Sequence, residues 1–379
     1  MASLKLLIIS GEASGDLHGA LLAENIFKLA PSIRIFGVGG YKMKTAGVEI
    51  FFDIKDLAVI GITEVFGKYR ILKDLLDKIR EKLKSDPPTA VILIDYPGFN
   101  LRVAEIAHNL KIPVIYYICP QIWAWAPSRI NKIAAWVDKA IVIFKFEMEL
   151  YQKASVPVEF VGHPLLDTIQ SETDKETALQ YFGLNDAKRI ITLMPGSRLS
   201  EIKNHMPILL KTAKFIMDRL PQTKFIIPCA PEIEMEILGK YIRNAKMPIR
   251  IIKGKNYDVI NVSDFVIVAS GTATLEVAYF EKPMIIIYQT SFINWILGKM
   301  FMIIPYFGLV NILAGEEIVP EYLQFEVDPE TMAEYVFSIL KDKEKYIYIQ
   351  NKLREVKNKM GTSGASKKAA EVILKQISK

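Results

Sequence analysis

A chain of 379 residues, 51% apolar and 24% charged, is long enough for two ordinary domains and apolar enough to bury sizeable cores, which excludes a disordered or low-complexity protein. Its formal charge of +6 is spread along the sequence and gathers into no arm or tail, which favours anionic ligands or an anionic membrane face without demanding nucleic acid, and no nucleic-acid partner is expected. The two cysteines, Cys119 and Cys229, stand far apart and make neither a metal spacing nor a disulfide framework, as a reducing cytoplasm would have it.

Leu4 to Ile9 reads as the first buried strand, because this apolar run is too quickly ended by Gly, Glu and Asp to be a signal peptide. SGEASGDLHG follows, with Gly11, Gly15 and Gly19 recurring every four residues, so that they line one helical face and permit close approach. Glu12 and Asp16 share that spacing. Two carboxylates at a strand-to-helix turn suit sugar hydroxyls or a proton transfer; two exposed first-turn acids are the competing reading. No GxGxxG occurs here, which counts against a dehydrogenase.

Ile33 to Gly40 is a second strand. Leu57 to Leu72, LAVIGITEVFGKYRIL, reads either as a core helix or as a greasy surface whose basic end, Lys68 and Arg70, faces lipid phosphates. Thr89 to Ile94 is another buried strand, and Asp95 stands at its carboxyl end, where open parallel sheets bind ligands. Asp95 is therefore the candidate general base, with helix capping as its competing role. After the strand Val114 to Ile118, Trp123 and Trp125 either wall an acyl or sugar pocket or pack into a core. Ala140 to Phe144 and Glu159 to Val161 are further strands, and GHPLLD with the polar stretch Ser171 to Lys175 marks a domain boundary.

The alternation then restarts. Arg189 to Met194 leads into PGSRLSEI, where Gly196 and Ser197 offer donors and Arg198 a planar cationic fork. Lys224 to Pro228 and Ile249 to Ile252 follow as strands. Phe265 to Ala269 is a strand broken by Ser270, Gly271 and Thr272, with a helix from Thr274 to Phe280 and a strand from Met284 to Tyr288. A diphosphate fits the free N–H groups at that helix start, and Glu276 reaches for a ribose; a plain helix cap is the competing reading. Phe292 to Leu313, with Lys299 as its only charge, is interrupted by Asn294, Pro305 and Asn311 and reads as an interfacial or buried segment, not a transmembrane span. Two amphipathic helices, Pro329 to Leu340 and Lys343 to Met360, and a terminal helix close the chain.

The blocks SGEASGDLHGA, LAVIGITEVFG, DYPGFN, CPQIWAW, VGHPLLD, MPGSR, ASGTATLE and NILAGEE, in this order, resemble the lipid-A-disaccharide synthase family nearly to the end of the chain. The resemblance implies an α/β fold of two Rossmann-like parallel-sheet domains facing a cleft (GT-B). Residues 1–163 would be the acceptor and membrane-facing domain, 164–345 the UDP-sugar domain, and 346–379 C-terminal helices packing back on the first. It implies an inverting glycosyltransferase, cytoplasmic and peripheral to the inner membrane. Such enzymes move 2,3-diacylglucosamine from UDP-2,3-diacylglucosamine to 2,3-diacylglucosamine 1-phosphate (lipid X), releasing UDP, with no cofactor or bound metal.

Carried onto this sequence, the resemblance makes Asp95 the acceptor of the 6-hydroxyl proton, with Glu12 in reserve. Some members carry an acid three residues after the base; here that position is Gly98. Arg198, Ser197 and the helix start at Gly271, Thr272, Ala273 and Thr274 would offset charge on the diphosphate, Gly196, Glu201 and Ser270 would line the nucleotide site, Glu276 would hold the ribose, and Asn311 would add a polar contact on the nucleotide side. Ser10, Glu12, Ser14, Gly15, Asp16 and Asn100 would meet sugar or acceptor hydroxyls, and Ile60, Val65, Phe66, Trp295 and Phe301 the acyl chains or membrane. A monomer and a homodimer that exchanges terminal helices both stay open. A UDP-N-acetylglucosamine 2-epimerase and a non-catalytic nucleotide-sugar or lipid-binding protein are the alternatives, and neither accounts for the full set of blocks.

Overall fold

Continuous β-branched runs such as AVILI and FVIVA have no polar face to offer water, so each must lie inside a sheet covered on both sides. In the computed structural model, which describes residues 4–58, 65–124, 126–231, 233–292, 295–296 and 302–378, with the side chains at 57–58 and 65–69 outside that description, they do so in two parallel sheets. The first contains β1 (Lys5–Ser10), β2 (Arg34–Gly39), β3 (Glu49–Asp53), β4 (Ala90–Ile94), β5 (Val114–Tyr117), β6 (Lys139–Val142) and β7 (Val158–Phe160), in the order β3-β2-β1-β4-β5-β6-β7. Its strand order reverses between β1 and β4, where Ser10 pairs with Ile94. That is the topological switch point at which such sheets bind ligands.

The second sheet repeats the plan with β8 (Arg189–Met194), β9 (Thr223–Cys229), β10 (Ile249–Lys253), β11 (Phe265–Ala269), β12 (Met284–Tyr288) and β13 (Glu321–Leu323), ordered β10-β9-β8-β11-β12-β13. Its switch point lies between β8 and β11. Leu7, Ile9, Val91 and Leu93 in the first sheet, and Ile191, Leu193, Val266 and Ile267 in the second, are fully buried. The edge strands β3 and β13 are short, mixed in polarity and only half-buried, whereas the central strands β4 and β11 are wholly apolar and buried, so the sequence marks the second kind and not the first.

The chain divides into one unit of Met1–Asp167 with Met360–Lys379 and another of Thr168–Lys359. The division thus falls four residues beyond the expected end at 163, and the helix Lys343–Lys359 belongs to the second unit, where it packs on the helices Ala273–Tyr279 and Leu309–Ala314. Only the helix Ala365–Ile377 packs on the first unit, against the helix Ala13–Leu29. Asp167 clasps its start by accepting the N–H groups of Gly364, Ala365 and Ser366 at 2.6, 3.1 and 2.8 Å. The His163 N–H also donates to the Met360 carbonyl at 2.9 Å, so GHPLLD fastens the terminal helix. Among the described residues no helix is long and apolar enough to cross a membrane.

Candidate active site

In the first unit, the pairing of β1 with β4 brings two loops to the same sheet end. One ends at Glu12, immediately before the helix Ala13–Leu29 and with its side chain capping nothing, and Ser14 stands in the first turn of that helix; both are exposed. The other carries Asp95, followed by Tyr96 and the helix Pro97–Asn109, whose leading proline forfeits no helical hydrogen bond. The Asp95 side chain reaches solvent but protein encloses it on most sides. That enclosure, and then the Glu12 charge, push its carboxyl up to about 6 against a lowering hydrogen bond from the Tyr96 backbone.

Four residues expected at sugar hydroxyls make internal contacts at this end. Asp16 is buried and accepts the N–H groups of Gly40, Lys42 and Met43 at 2.6, 3.0 and 3.1 Å, so its carboxylate is spent on the start of the helix Tyr41–Thr45. Ser10 is fully buried, with its hydroxyl 3.5 Å from Met43 Sδ. Gly15 lets the helix Ala13–Leu29 close on β1, since a Cβ there would stand 3.0 Å from Ser10 Cβ. Asn100 is fully buried and donates Nδ2 to the main-chain carbonyls of Ile94 and Asp95 at 3.1 and 2.7 Å. The Asp16 carboxylate and the Asn100 amide nitrogen are spent on main-chain groups, and Ser10, Asp16 and Asn100 are all buried.

In the second unit, the loop after β8 turns at Gly196 (φ 112°). Glu201 faces the loop itself: Oε2 accepts from the Ser197 and Arg198 N–H groups at 2.9 and 3.1 Å, and Oε1 takes Arg198 Nη1 at 2.8 Å. An internal carboxylate therefore occupies the donors expected to meet phosphate, while the Arg198 side chain is 72% exposed. His205, unmarked in the sequence reading, ties this loop to the end of β12. Its Nε2 accepts the Gln289 N–H at 3.0 Å, which leaves Nδ1 to donate to the Pro195 carbonyl at 2.7 Å.

The loop after β11 presents Gly271 (φ 148°) and Thr272 at the surface, with Ala273 half-exposed. Thr274 is buried with its hydroxyl on the Gly271 carbonyl at 2.8 Å, and Ser270 donates its hydroxyl to the Phe307 carbonyl at 3.2 Å. Both shape the turn with the hydroxyls expected to reach phosphate. Glu276 is half-buried, and loss of hydration pushes its carboxyl up to about 7. Asn311, expected at the nucleotide, is fully buried: Oδ1 accepts from the Ile318 and Val319 N–H groups at 3.0 and 3.2 Å, and Nδ2 donates to the Val319 carbonyl and Glu321 Oε1, each at 2.8 Å. It pins a loop.

Trp123 donates Nε1 at 2.9 Å to Glu147, a buried carboxylate that also accepts the Phe144 N–H and is pushed up to about 7 by burial. Of the expected acyl or membrane residues, Trp295 is half-buried 5.9 Å from the Phe307 ring. Ile60, Phe301 and Trp125 lie outside the described residues, as do the side chains of Val65 and Phe66. Among the described residues no group of His, Cys, Asp or Glu is arranged to hold a metal ion.

A family model described as lipid-A-disaccharide synthetase matches residues 6–377. The lipid-A-disaccharide synthase of Syntrophus aciditrophicus (strain SB) is 40% identical over 380 residues, spanning 100% of this chain and 99% of that relative. Lipid-A-disaccharide synthase 1 of Legionella pneumophila (strain Paris) is 38% identical, spanning 98% and 97%. Among solved structures, a UDP-GlcNAc 2-epimerase from Neisseria meningitidis bound to UDP-GlcNAc aligns with a TM-score of 0.65 at 14% identity, over 98% of this chain and 100% of that one. A glycosyltransferase from Rickettsia africae ESF-5 aligns at 0.59 and 13% over 100% of both chains. At these identities the two structures speak for the fold alone.

Proposed function

Because the chain belongs to the lipid-A-disaccharide synthetase family and is a glycosyltransferase of lipid A biosynthesis, we propose that Asp95 is the general base of the transfer. The acceptor is 2,3-diacylglucosamine 1-phosphate and the donor UDP-2,3-diacylglucosamine. The Asp95 carboxylate takes the proton of the acceptor 6-hydroxyl as that oxygen bonds to the donor's anomeric carbon. The bond from that carbon to the UDP oxygen breaks on the opposite face, and the configuration inverts. What carries the reading is Asp95 itself, at the switch point of its sheet, with a carboxyl near 6 that is charged at neutral pH and still basic.

Charge developing on the departing diphosphate is offset by Arg198 and by the exposed turn at Gly271 and Thr272, with Ser197 available once Glu201 yields its N–H. Glu276 takes the ribose hydroxyls in place of water. Glu12 and Ser14 hold sugar hydroxyls beside Asp95. The enzyme works at the cytoplasmic face of the inner membrane, a reading supported by Phe292, Ile303 and Phe325, which are 59, 58 and 75% exposed.

The test is mass spectrometry of products in detergent micelles with both lipid substrates. Wild type should yield a tetra-acyl disaccharide 1-phosphate and UDP, while Asp95→Asn should lose about 10²–10⁴-fold in rate and keep its affinity for UDP. An Asp95→Asn protein that retains most of its rate would remove Asp95 as base.

A further inference from the structure

Asp95 and Tyr96 are consecutive left-handed residues, with φ of 45° and 49°. Neither is glycine, so each holds backbone strain that a glycine would not. The strain persists only if the surroundings over-determine it. At Asp95 they do: its carbonyl accepts Asn100 Nδ2 and Tyr116 Oη, each at 2.7 Å, and its N–H donates to the Ile118 carbonyl at 3.2 Å. Asn100 spends a further N–H on the preceding carbonyl, that of Ile94, at 3.1 Å.

The two donors are fully buried and come from different elements: Tyr116 from β5, which pairs with β4, and Asn100 from the helix Pro97–Asn109. Neither side chain is free to follow Asp95 if its backbone turns. We propose that Asn100 and Tyr116 are positioning residues that grip the Asp95 main-chain carbonyl, hold its backbone left-handed, and so aim its carboxylate at the acceptor hydroxyl. The inference rests on the assignment of Asp95 as general base. Without the grip, Asp95 relaxes toward the extended or right-handed region, its Cα–Cβ bond swings away, and the carboxylate leaves both the reacting hydroxyl and Glu12.

Tyr116→Phe removes a single hydroxyl without changing the packed ring, and Asn100→Ala removes the other donor. For each variant kcat, the KM of both substrates, the pH profile of kcat/KM and the thermal midpoint are measured. Misplacement by an ångström costs about 10²-fold in rate. The expected result is therefore a kcat lowered roughly 10-fold in Tyr116→Phe and about 10²-fold in Asn100→Ala, with donor KM within about twofold of wild type and the acidic limb of the profile displaced. A lowered thermal midpoint with kcat and the acidic limb unchanged overturns the proposal, because a purely structural role gives that pattern. If Asn100→Ala does not fold, Tyr116→Phe decides alone. Asp95→Asn is run in parallel: if it stays active the base assignment fails, and if it is dead while a folded Tyr116→Phe matches wild type, only the positioning role fails.

Discussion

The ring of Tyr96 fills the space in front of Gly11, where an added Cβ would stand 2.3 Å from Tyr96 Cδ1. The loops after β1 and β4 are thus in direct contact, which sets Glu12 close enough to Asp95 to raise its carboxyl. Gly11→Ala must push the ring aside and shift the residue next to the proposed base. We expect kcat to fall by about 10-fold or more with UDP affinity unchanged, as measured by turnover and calorimetry. Wild-type turnover in a folded Gly11→Ala protein would uncouple the two loops.

The Asp95 carboxyl, pushed up to about 6, must be ionised to accept a proton, so kcat/KM should level off above that pH. Below it the rate should drop about tenfold per pH unit. Enclosure is the larger cause and Glu12 the smaller. Glu12→Gln should accordingly move the acidic limb to lower pH without abolishing it. Complete loss of activity in Glu12→Gln would transfer the base role to Glu12.

Arg198→Ala should lose about 10²–10³-fold in turnover while its circular dichroism stays native, since one donor to a developing anion is worth that much. Arg198→Lys should recover little, because a point ammonium cannot replace the planar fork. Near-complete rescue by lysine would mean that net charge alone is needed.

Asn311 makes four hydrogen bonds in a fully buried setting. Asn311→Ala should lower stability by about 2–4 kcal/mol, read as a shifted denaturant midpoint, because several buried groups lose partners together. At a temperature where the variant is folded, UDP affinity should be close to wild type. An unmoved midpoint with lost UDP binding would reinstate a direct nucleotide contact.

His18 and His163 are held neutral chiefly by burial, which lowers them to about 4 and about 3. Unfolded histidines protonate near 6.5, so the unfolded chain binds more protons and stability falls as pH drops from there toward the folded values. His163 alone should cost about 3 kcal/mol by pH 4, so urea unfolding of wild type should weaken steeply over that range. A His163→Gln protein should show a shallower slope; an identical slope would place the acid sensitivity elsewhere.

Much of the fold was legible because a parallel-sheet strand must be apolar on both faces, and that constraint is written locally in runs such as KLLIIS and MIIIY. The polar loops were legible by place as well: Asp95 follows β4 directly, and Gly271 and Arg198 stand in the loops that leave β11 and β8. Their neighbours were not. Asp16 resembles a sugar-binding acid until Gly40, Lys42 and Met43 deliver their N–H groups to it, and Asn311 resembles a nucleotide contact until the strand of Glu321 closes over it.

By itself, then, the sequence determined the alternation of strands and helices, the order of blocks that marks the family, and an acid at the end of β4. The tertiary structure decided which polar groups remain available to a substrate. A hydroxyl, amide or carboxylate is a ligand contact only if no main-chain partner reaches it first, and those partners come from residues remote in the chain. It also decided how Asp95 is aimed, since a left-handed aspartate is held by Tyr116 from the next strand and Asn100 from the following helix.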